Sequence, residues 1–237
     1  MSRLSDEART AIDNLQRNHP DWGAWKTARA LDLNVQAVRW YLQQQDKKQY
    51  RTPEPFGVYV WDIETADFST DIGFLMMGSF LDLNTGEMVT ERIASREEKP
   101  DWTLDEAELD VLLRVRKIID RAVVLIGHNS ISFGKNYVNG VSARHGLGPM
   151  GPKIHIDTYQ AARYGLVGRL QSLKLANLAD FFKIGVKDKP GKADWRASHA
   201  RDEDALERLR LRCESDVRLT ALVWDALKPH YLRWRGK

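Results

Sequence analysis

The sequence is poor in cysteine, since Cys213 is the only one among 237 residues. One cysteine cannot form an internal disulfide or supply a multi-cysteine zinc site, and scarce cysteine is typical of a reducing compartment. Long apolar runs are also missing: the longest, residues 73–81, is much shorter than a membrane span requires. Residues 1–7 lack the apolar segment of a signal peptide. We therefore expect a cytoplasmic protein with no membrane partner.

A strong charge of either sign is missing as well. With 36 basic and 33 acidic side chains, the formal net charge is only +3. The sequence therefore has no polybasic signature, although an isoelectric point near 8.9 permits a nucleic-acid partner. A hydrophobic content of 43% supports a packed core. The length fits either one large domain or a domain with a small module.

Residues 1–46 have the pattern of a small helical module. Helices are expected at residues 5–17, 24–31 and 35–45, and Asp32-Leu33-Asn34 is the short turn between the last two. The apolar side chains that would pack these helices together are Ala28, Leu31, Leu33, Val38, Tyr41 and Leu42. Short helices joined by a tight turn are typical of a helix-turn-helix, which favours DNA contact. A helical cap or a docking module for a partner is the alternative.

A polar linker follows this module. Residues 47–55 include two prolines and few apolar side chains, which is a typical linker composition. Arg39 on the third helix and Lys47 and Lys48 in the linker are the candidate phosphate-binding residues of this region. A third segment, residues 56–237, then forms the main domain.

Strands alternate with helices in the main domain. Strands are expected at residues 57–64, 73–81, 87–93, 123–126 and 153–156. Helices are expected at residues 105–122, 133–145, 158–164, 173–184 and 202–227, with a charged loop over residues 185–201. Three strands in a meander, followed by alternating helices and strands, predict an α/β fold. Its sheet is mixed, with parallel and antiparallel pairs, and is flanked by helices.

Two carboxylates lie at the end of the first strand, in the segment Val58-Tyr59-Val60-Trp61-Asp62-Ile63-Glu64-Thr65. Side chains on a strand alternate between faces, so Asp62 and Glu64 point the same way. Two adjacent acids repel each other unless a cation lies between them, and oxygen ligands suit Mg²⁺ or Mn²⁺. The alternative is a solvated strand end with two exposed acids.

A third acid, Asp216, lies at the edge of an apolar stripe on the last helix. An acid that faces a sheet is costly without a partner, so Asp216 could belong to a charged site. The alternative is a pair on the helix surface with Arg212 or Arg218.

Polar groups also follow the later strands. Gly127-His128-Asn129 comes after a buried strand, and ligands bind at the carboxyl ends of strands in open α/β sheets. His128 and Asn129 are therefore candidate nucleic-acid contacts. Asp157 ends the next strand, where an acid is most often a helix cap.

Taken together, these segments resemble the DEDD superfamily of 3′–5′ exonucleases, the proofreading-type nucleases with a ribonuclease H-like fold. The matching segments are Trp61-Asp62-Ile63-Glu64-Thr65, Ile126-Gly127-His128-Asn129 with Phe133, Ile156-Asp157-Thr158, Ser172-Leu173-Lys174-Leu175 with Leu178-Ala179, and Cys213-Glu214-Ser215-Asp216-Val217. They span roughly residues 56–228 in the order and spacing of the family. The amino-terminal module is outside the resemblance.

The resemblance implies a two-metal site that holds Mg²⁺ or Mn²⁺. Asp62 would bridge both ions, while Glu64 and Asp216 would complete the first site. Two cations roughly 3.5–4 Å apart can stabilise both the attacking and the leaving oxygen of a phosphodiester displacement. The expected function is therefore a metal-dependent 3′–5′ exonuclease that hydrolyses phosphodiester bonds at nucleic-acid ends, with DNA as the expected substrate and replication or repair proteins as possible partners.

Two positions depart from the family. Its second acid would fall at Gly134, and its general base would fall at Arg212 or Leu211. An Arg cannot act as a base at ordinary pH, so we expect impaired activity and a weak second metal site. Asp157 and His199 are the candidate substitutes for the missing groups. On the resemblance, Gly134 faces the second metal, and Gly134→Asp is expected to raise activity.

The departures leave two other hypotheses. One is a catalytically degenerate exonuclease-like domain that serves as a DNA-binding or accessory protein, which Gly134 and Arg212 favour. The other is a regulator in which the helix-turn-helix does the main work. Intact Asp62, Glu64 and Asp216 favour the enzyme.

We expect deletion of residues 1–48 to lower nucleic-acid affinity and to weaken its dependence on salt. The deleted segment would contribute phosphate contacts through Arg29, Arg39, Lys47 and Lys48, and each such contact releases counterions. Binding of a labelled oligonucleotide at two salt concentrations checks this expectation. Unchanged affinity at both salt concentrations would favour the helical-cap alternative.

Overall fold

The computed structural model describes residues 4–19, 22, 24–35, 37–38, 41–42, 57–166, 170–185 and 197–235. Its contacts divide the chain into two compact units, Met1–Glu54 and Pro55–Lys237. Within the described ranges, no helix is both long enough and apolar enough to cross a membrane.

In the amino-terminal unit, the regular elements among the described residues are helices. Helix α1 spans Asp6–Asn18 and helix α2 spans Ala24–Ala30. Ser5 begins α1 by accepting a hydrogen bond from the backbone N–H of Ala8 at 3.1 Å, as expected of an N-cap serine. Among the described residues of this unit, the buried apolar side chains are Ile12, Ala28, Val38 and Tyr41.

The third helix of this unit can be followed only in part, at residues 35, 37–38 and 41–42. Asn34 starts it by accepting from the backbone N–H of Ala37 at 3.1 Å. Arg39, Lys47 and Lys48 lie outside the described residues. The helix-turn-helix and its DNA contacts therefore stay predictions.

A five-stranded mixed sheet forms the centre of the second unit. Its strands are β1 (Gly57–Thr65), β2 (Leu75–Asp82), β3 (Met88–Arg92), β4 (Ala122–Gly127) and β5 (Ile154–Asp157). The spatial order is β3-β2-β1-β4-β5. The β1–β2 and β2–β3 pairs are antiparallel, and the β1–β4 and β4–β5 pairs are parallel. This is the mixed α/β sheet of a ribonuclease H-like fold that the sequence predicts, with β1 in the middle.

Helices cover both faces of the sheet. They are α3 (Leu104–Arg121), α4 (Lys135–Arg144), α5 (Thr158–Gly165), α6 (Leu175–Phe182) and α7 (Glu203–Arg235), and a π-helical turn, Ser130–Gly134, precedes α4. Thr103 and Glu106 begin α3 with a reciprocal capping box, which satisfies backbone N–H groups at the helix start. The sequence pattern predicted α4 from residue 133 and did not anticipate the π-helical turn.

The predicted end of the last helix at residue 227 is wrong, because α7 continues through Pro229 to Arg235. A proline inside a helix removes one backbone hydrogen bond and normally kinks or ends the helix. The turns after Pro229 make one contact within the helix and one with a neighbouring helix. Tyr231 packs edge-on against Trp224 at 5.9 Å, and a Cβ on Gly165 would lie only 3.3 Å from the Tyr231 backbone. The close approach of α5 thus holds the last turns of α7 in place.

Because side chains alternate along β1, Trp61 lies on one face of the strand and the acids lie on the other. Trp61 is 1% exposed and stacks on Phe80 of β2, with ring centroids 6.1 Å apart. A Cβ on Gly78 of β2 would lie against Val115 and Ile63, so this face of the sheet packs on α3. Asp62 and Glu64 point to the opposite face, over which α7 crosses β1 and β2.

A buried ionic network ties the start of β2 to α3 and α4. Glu108 of α3 is 1% exposed and accepts a hydrogen bond from the backbone N–H of Leu75 at 2.7 Å. Arg144 donates to the same carboxylate at 2.6 Å, and His145 lies 2.8 Å from it. Arg144 also donates to the backbone carbonyls of Thr70 and Gly73. The network therefore anchors the loop between β1 and β2.

We expect Glu108→Ala to lower the free energy of unfolding by about 3 kcal/mol, because it leaves Arg144 and a buried backbone N–H without their shared acceptor. Urea denaturation of the variant and the parent measures the change. Glu207→Ala is the control, since its partner Arg210 lies at the surface and such pairs are worth less than about 1 kcal/mol. Equal effects of the two substitutions would contradict a supporting role for Glu108.

Candidate functional site at the carboxyl end of the central strand

Four carboxylates line one cleft, namely the exposed Asp67 and the three acids that the sequence singled out. Asp62 and Glu64 come from the carboxyl end of β1, and Asp216 comes from α7. The cleft has a volume of about 420 Å³ and is completed by residues 65–68, Phe133 and Arg212. Glu64 is 6% exposed and Asp216 is 2% exposed, whereas Asp62 is half-buried. The acids that the sequence singled out therefore do lie together, and their role as metal ligands stays a prediction.

Core packing of α7 sets the position of Asp216. Cys213, Val217 and Thr220 are buried on the same helix, at the spacing of a helix face. Cys213 packs in the core cluster with Trp61 and Leu209, and Val217 packs in the cluster with Val60. Because these neighbours fix the rotation of the helix, the Asp216 side chain is directed toward the end of β1.

A guanidinium lies beside two of these acids, Glu64 and Asp216. Arg212 is 3.6 Å from Oε1 of Glu64 and 3.8 Å from Oδ2 of Asp216, and its side chain is only 17% exposed. Both distances are too long for hydrogen bonds, so Arg212 lies between a strand acid and a helix acid without a bidentate pair. The sequence left open an ion pair between Asp216 and Arg212 on the helix surface. This pair is present, but it lies inside the cleft.

Cys213 is a member of the same cluster that sequence reasoning missed. One ligand atom from each of Asp62, Glu64 and Cys213 lies within 4.8 Å of the others. Burial raises the pKa of the Cys213 thiol well above its usual value, and the charges of Asp62 and Glu64 add to the effect. The thiol is therefore neutral, and its Sγ lies 3.8 Å from the carbonyl oxygen of Asp62. Its position three residues before Asp216, on the same helix face, was the available signal.

The polar loop after β4 forms a structural cluster beside the sheet edge. Asp157 accepts hydrogen bonds from the backbone N–H groups of Asn129 at 2.9 Å and Ile131 at 3.0 Å. It also caps α5 by accepting from Tyr159 at 2.9 Å, which confirms the helix-cap interpretation. Nδ1 of His128 is 2.9 Å from the Thr158 hydroxyl.

These residues do not line the acidic cleft. Asn129 is exposed, with a left-handed backbone at φ 55°, and together with His128 it stays a candidate contact for nucleic acid. The backbone bonds of Asp157 fix it as a cap, and His199 lies against Phe74 at 5.7 Å. Neither of these two residues is among those that line the cleft, so neither replaces the missing acid or base there.

The expectation that Gly134 faces a second metal is not supported. A Cβ at this position would point at the indole ring of Trp61, with ring atoms at 3.1 and 3.3 Å. Trp61 is a buried core side chain on the apolar face of β1, opposite the acids. The residue ends the π-helical turn in an ordinary right-handed conformation, so a side chain there meets no backbone strain but would press on the Trp61 ring.

The two-metal site that the resemblance implies stays a prediction, and its expected donors can be compared with the side chains of the cleft. Asp62, Glu64 and Asp216 offer carboxylate oxygens, which suit Mg²⁺ or Mn²⁺. Gly134, the position expected to bind the second ion, carries no acid, and a Cβ there would point at a core side chain. Arg212 already contributes one positive charge beside Glu64 and Asp216. Four acidic side chains and one guanidinium line the cleft, so acidic groups are in excess there.

Comparison with known proteins supports the fold. No protein-family model and no curated protein matches the sequence. Among solved structures, the chain is similar to the family B DNA polymerase from the hyperthermophilic archaeon Pyrobaculum calidifontis, with a TM-score of 0.51 and 16% identity. The match covers 75% of this chain and 25% of the polymerase chain. At this identity the likeness concerns the fold alone, and the chain spans about a quarter of the polymerase.

We expect Gly134→Asp to lower the free energy of unfolding by about 1–3 kcal/mol, because the new side chain presses on the buried Trp61 ring. This reverses the expectation from the sequence that the substitution would restore activity. Thermal and urea denaturation measure the loss, and Gly148→Asp is the control, since a Cβ there meets open space. A Gly134→Asp variant as stable as the parent, with raised nuclease activity, would contradict the assignment.

Proposed function

We propose that this protein is a metal-dependent 3′–5′ exonuclease that hydrolyses phosphodiester bonds at nucleic-acid ends, with DNA the favoured substrate. The observation that carries the proposal is the convergence of Asp62, Glu64 and Asp216 in one cleft at the carboxyl end of the central strand. The similar fold of a DNA polymerase supports a nucleic-acid substrate. Replication or repair proteins are the proposed partners.

The residues of the cleft suit this reaction. Asp62, Glu64 and Asp216 would hold a single divalent cation. When bound, that cation lowers the pKa of a coordinated water and offsets charge on the phosphate. Arg212 faces the same space, and its guanidinium is suited to a phosphate oxygen.

Aromatic side chains at the mouth of the cleft suit an unpaired end. Phe68 is 86% exposed and lies edge-on to Phe133 with ring centroids 5.7 Å apart. Both rings line the cleft. Bases of a single strand stack on such rings with little regard to sequence, and each stacked base contributes about 1–3 kcal/mol. A single-stranded end is therefore the proposed form of the substrate.

The second candidate function is an end-binding accessory protein without catalysis. The observation that favours it is the ion pairing of Arg212 with Glu64 and Asp216, which occupies two of the three acids. Such a protein would retain the stacking rings and the phosphate-binding guanidinium. It would bind the same oligonucleotides and leave them intact.

We expect Asp62→Asn and Asp216→Asn each to reduce digestion of a 5′-labelled single-stranded oligonucleotide roughly 10²-fold or more in Mn²⁺ or Mg²⁺. Each change removes one of three charges that balance the cation, while the side-chain volume stays the same. The control is Asp225→Asn, an exposed acid on the same helix. A gel that resolves single nucleotides shows the direction of digestion, and EDTA should stop it.

The same assay separates the two candidate functions. If the parent digests the oligonucleotide and both cleft variants digest it equally well, the site assignment is refuted. No digestion under any metal condition, with binding that requires Phe68, would favour the accessory protein.

A further inference from the structure

Arg212 has an unusual position for a permanently charged side chain. It projects from α7 into the acidic cleft, one residue before the fully buried Cys213, and it is 17% exposed. A guanidinium stays protonated at all ordinary pH values, so its charge cannot be removed to relieve burial. A mostly buried cation of this kind requires carboxylates nearby, and Glu64 and Asp216 supply them.

The contacts of Arg212 are those of a bridging cation. Glu64 comes from the strand, Asp216 comes from the helix, and the guanidinium lies within 4 Å of one oxygen from each. The two acids are themselves almost fully buried, at 6% and 2% exposure. Without a cation, each would face the other charges of the cleft at low dielectric, which is costly.

We propose that Arg212 is a built-in cation that neutralises Glu64 and Asp216, and that a divalent metal ion must compete with it for these two carboxylates. The identity of the competing ion rests on the proposed function, whereas the neutralising role rests on the ion pairs alone. The long distances suit such a role, because ion pairs of this length are more easily displaced than a bidentate hydrogen-bonded pair. The cleft is thereby stable without metal and binds metal weakly.

The test measures stability and metal binding of the full chain, without nucleic acid. We expect Arg212→Gln in EDTA to melt roughly 5 °C below the parent, because two buried acids lose their cation. We expect the same variant to bind Mn²⁺ about tenfold more tightly than the parent, since the competitor is gone. The free-ion paramagnetic resonance signal gives the Mn²⁺ affinity, and saturating Mn²⁺ should restore much of the lost melting temperature.

Arg210→Gln is the matched control. Arg210 lies on the same helix and also pairs with two acids, Glu207 and Glu214, neither of which lines the cleft. We expect its loss to leave Mn²⁺ affinity unchanged. Arg212→Lys keeps the charge, should fold even if the Gln variant does not, and should bind Mn²⁺ like the parent.

Unchanged Mn²⁺ affinity in Arg212→Gln would overturn the proposal, as would tighter binding in Arg210→Gln or in Arg212→Lys. Were Arg212→Gln to bind Mn²⁺ more tightly while no form of the protein digests DNA, the built-in cation would stand and the exonuclease function would fail. Were the parent to digest DNA while Arg212→Gln leaves Mn²⁺ affinity unchanged, the exonuclease function would stand and the built-in cation would fail.

Discussion

The side chains of Asp62 and Glu64 project from the same face of β1, two residues apart, beneath a helix that adds a third acid. The electrostatics of the cleft depend on this concentration of acidic groups. Two of the three carboxylates are almost fully buried. Like charges held this close in a poorly hydrated space need a cation. Arg212 supplies part of the balance from the same helix as Asp216. The negative excess that remains is what makes a divalent ion a reasonable ligand.

The geometry of this cluster depends on the core beneath it. Cys213 and Val217 of α7 pack into the two main core clusters, so the helix cannot rotate without breaking apolar contacts on both sides. Arg212 and Asp216 therefore face the end of β1 because their neighbours are buried. On the other side, Glu108 and Arg144 hold the loop between β1 and β2, which lines the cleft. The side chains of the candidate site and those that stabilise it thus lie on the same or adjoining elements but are different side chains.

The corrections to the sequence analysis have a common origin in contacts between distant segments. Pro229 does not end α7, whose backbone at Tyr231 lies close to Gly165 of α5. Gly134 is not a lost metal ligand, since it allows close packing on Trp61. None of these pairs is recognisable from local periodicity or motif spacing. The cap at Asp157, by contrast, is local to the start of α5, and it was predicted correctly.

The sequence by itself determined the mixed α/β fold and the order of its strands along the chain, because period-2 and helical patterns are local properties of the residues. It also determined that Asp62 and Glu64 share a face, since that follows from strand geometry alone. Only the tertiary structure decided that Arg212 lies between Glu64 and Asp216 and that Cys213 lies beside Asp62. The contacts of Arg212 with Glu64 and of Cys213 with Asp62 join residues about 150 positions apart, and packing of α7 against the sheet, which no local pattern encodes, brings them within a few ångströms of each other.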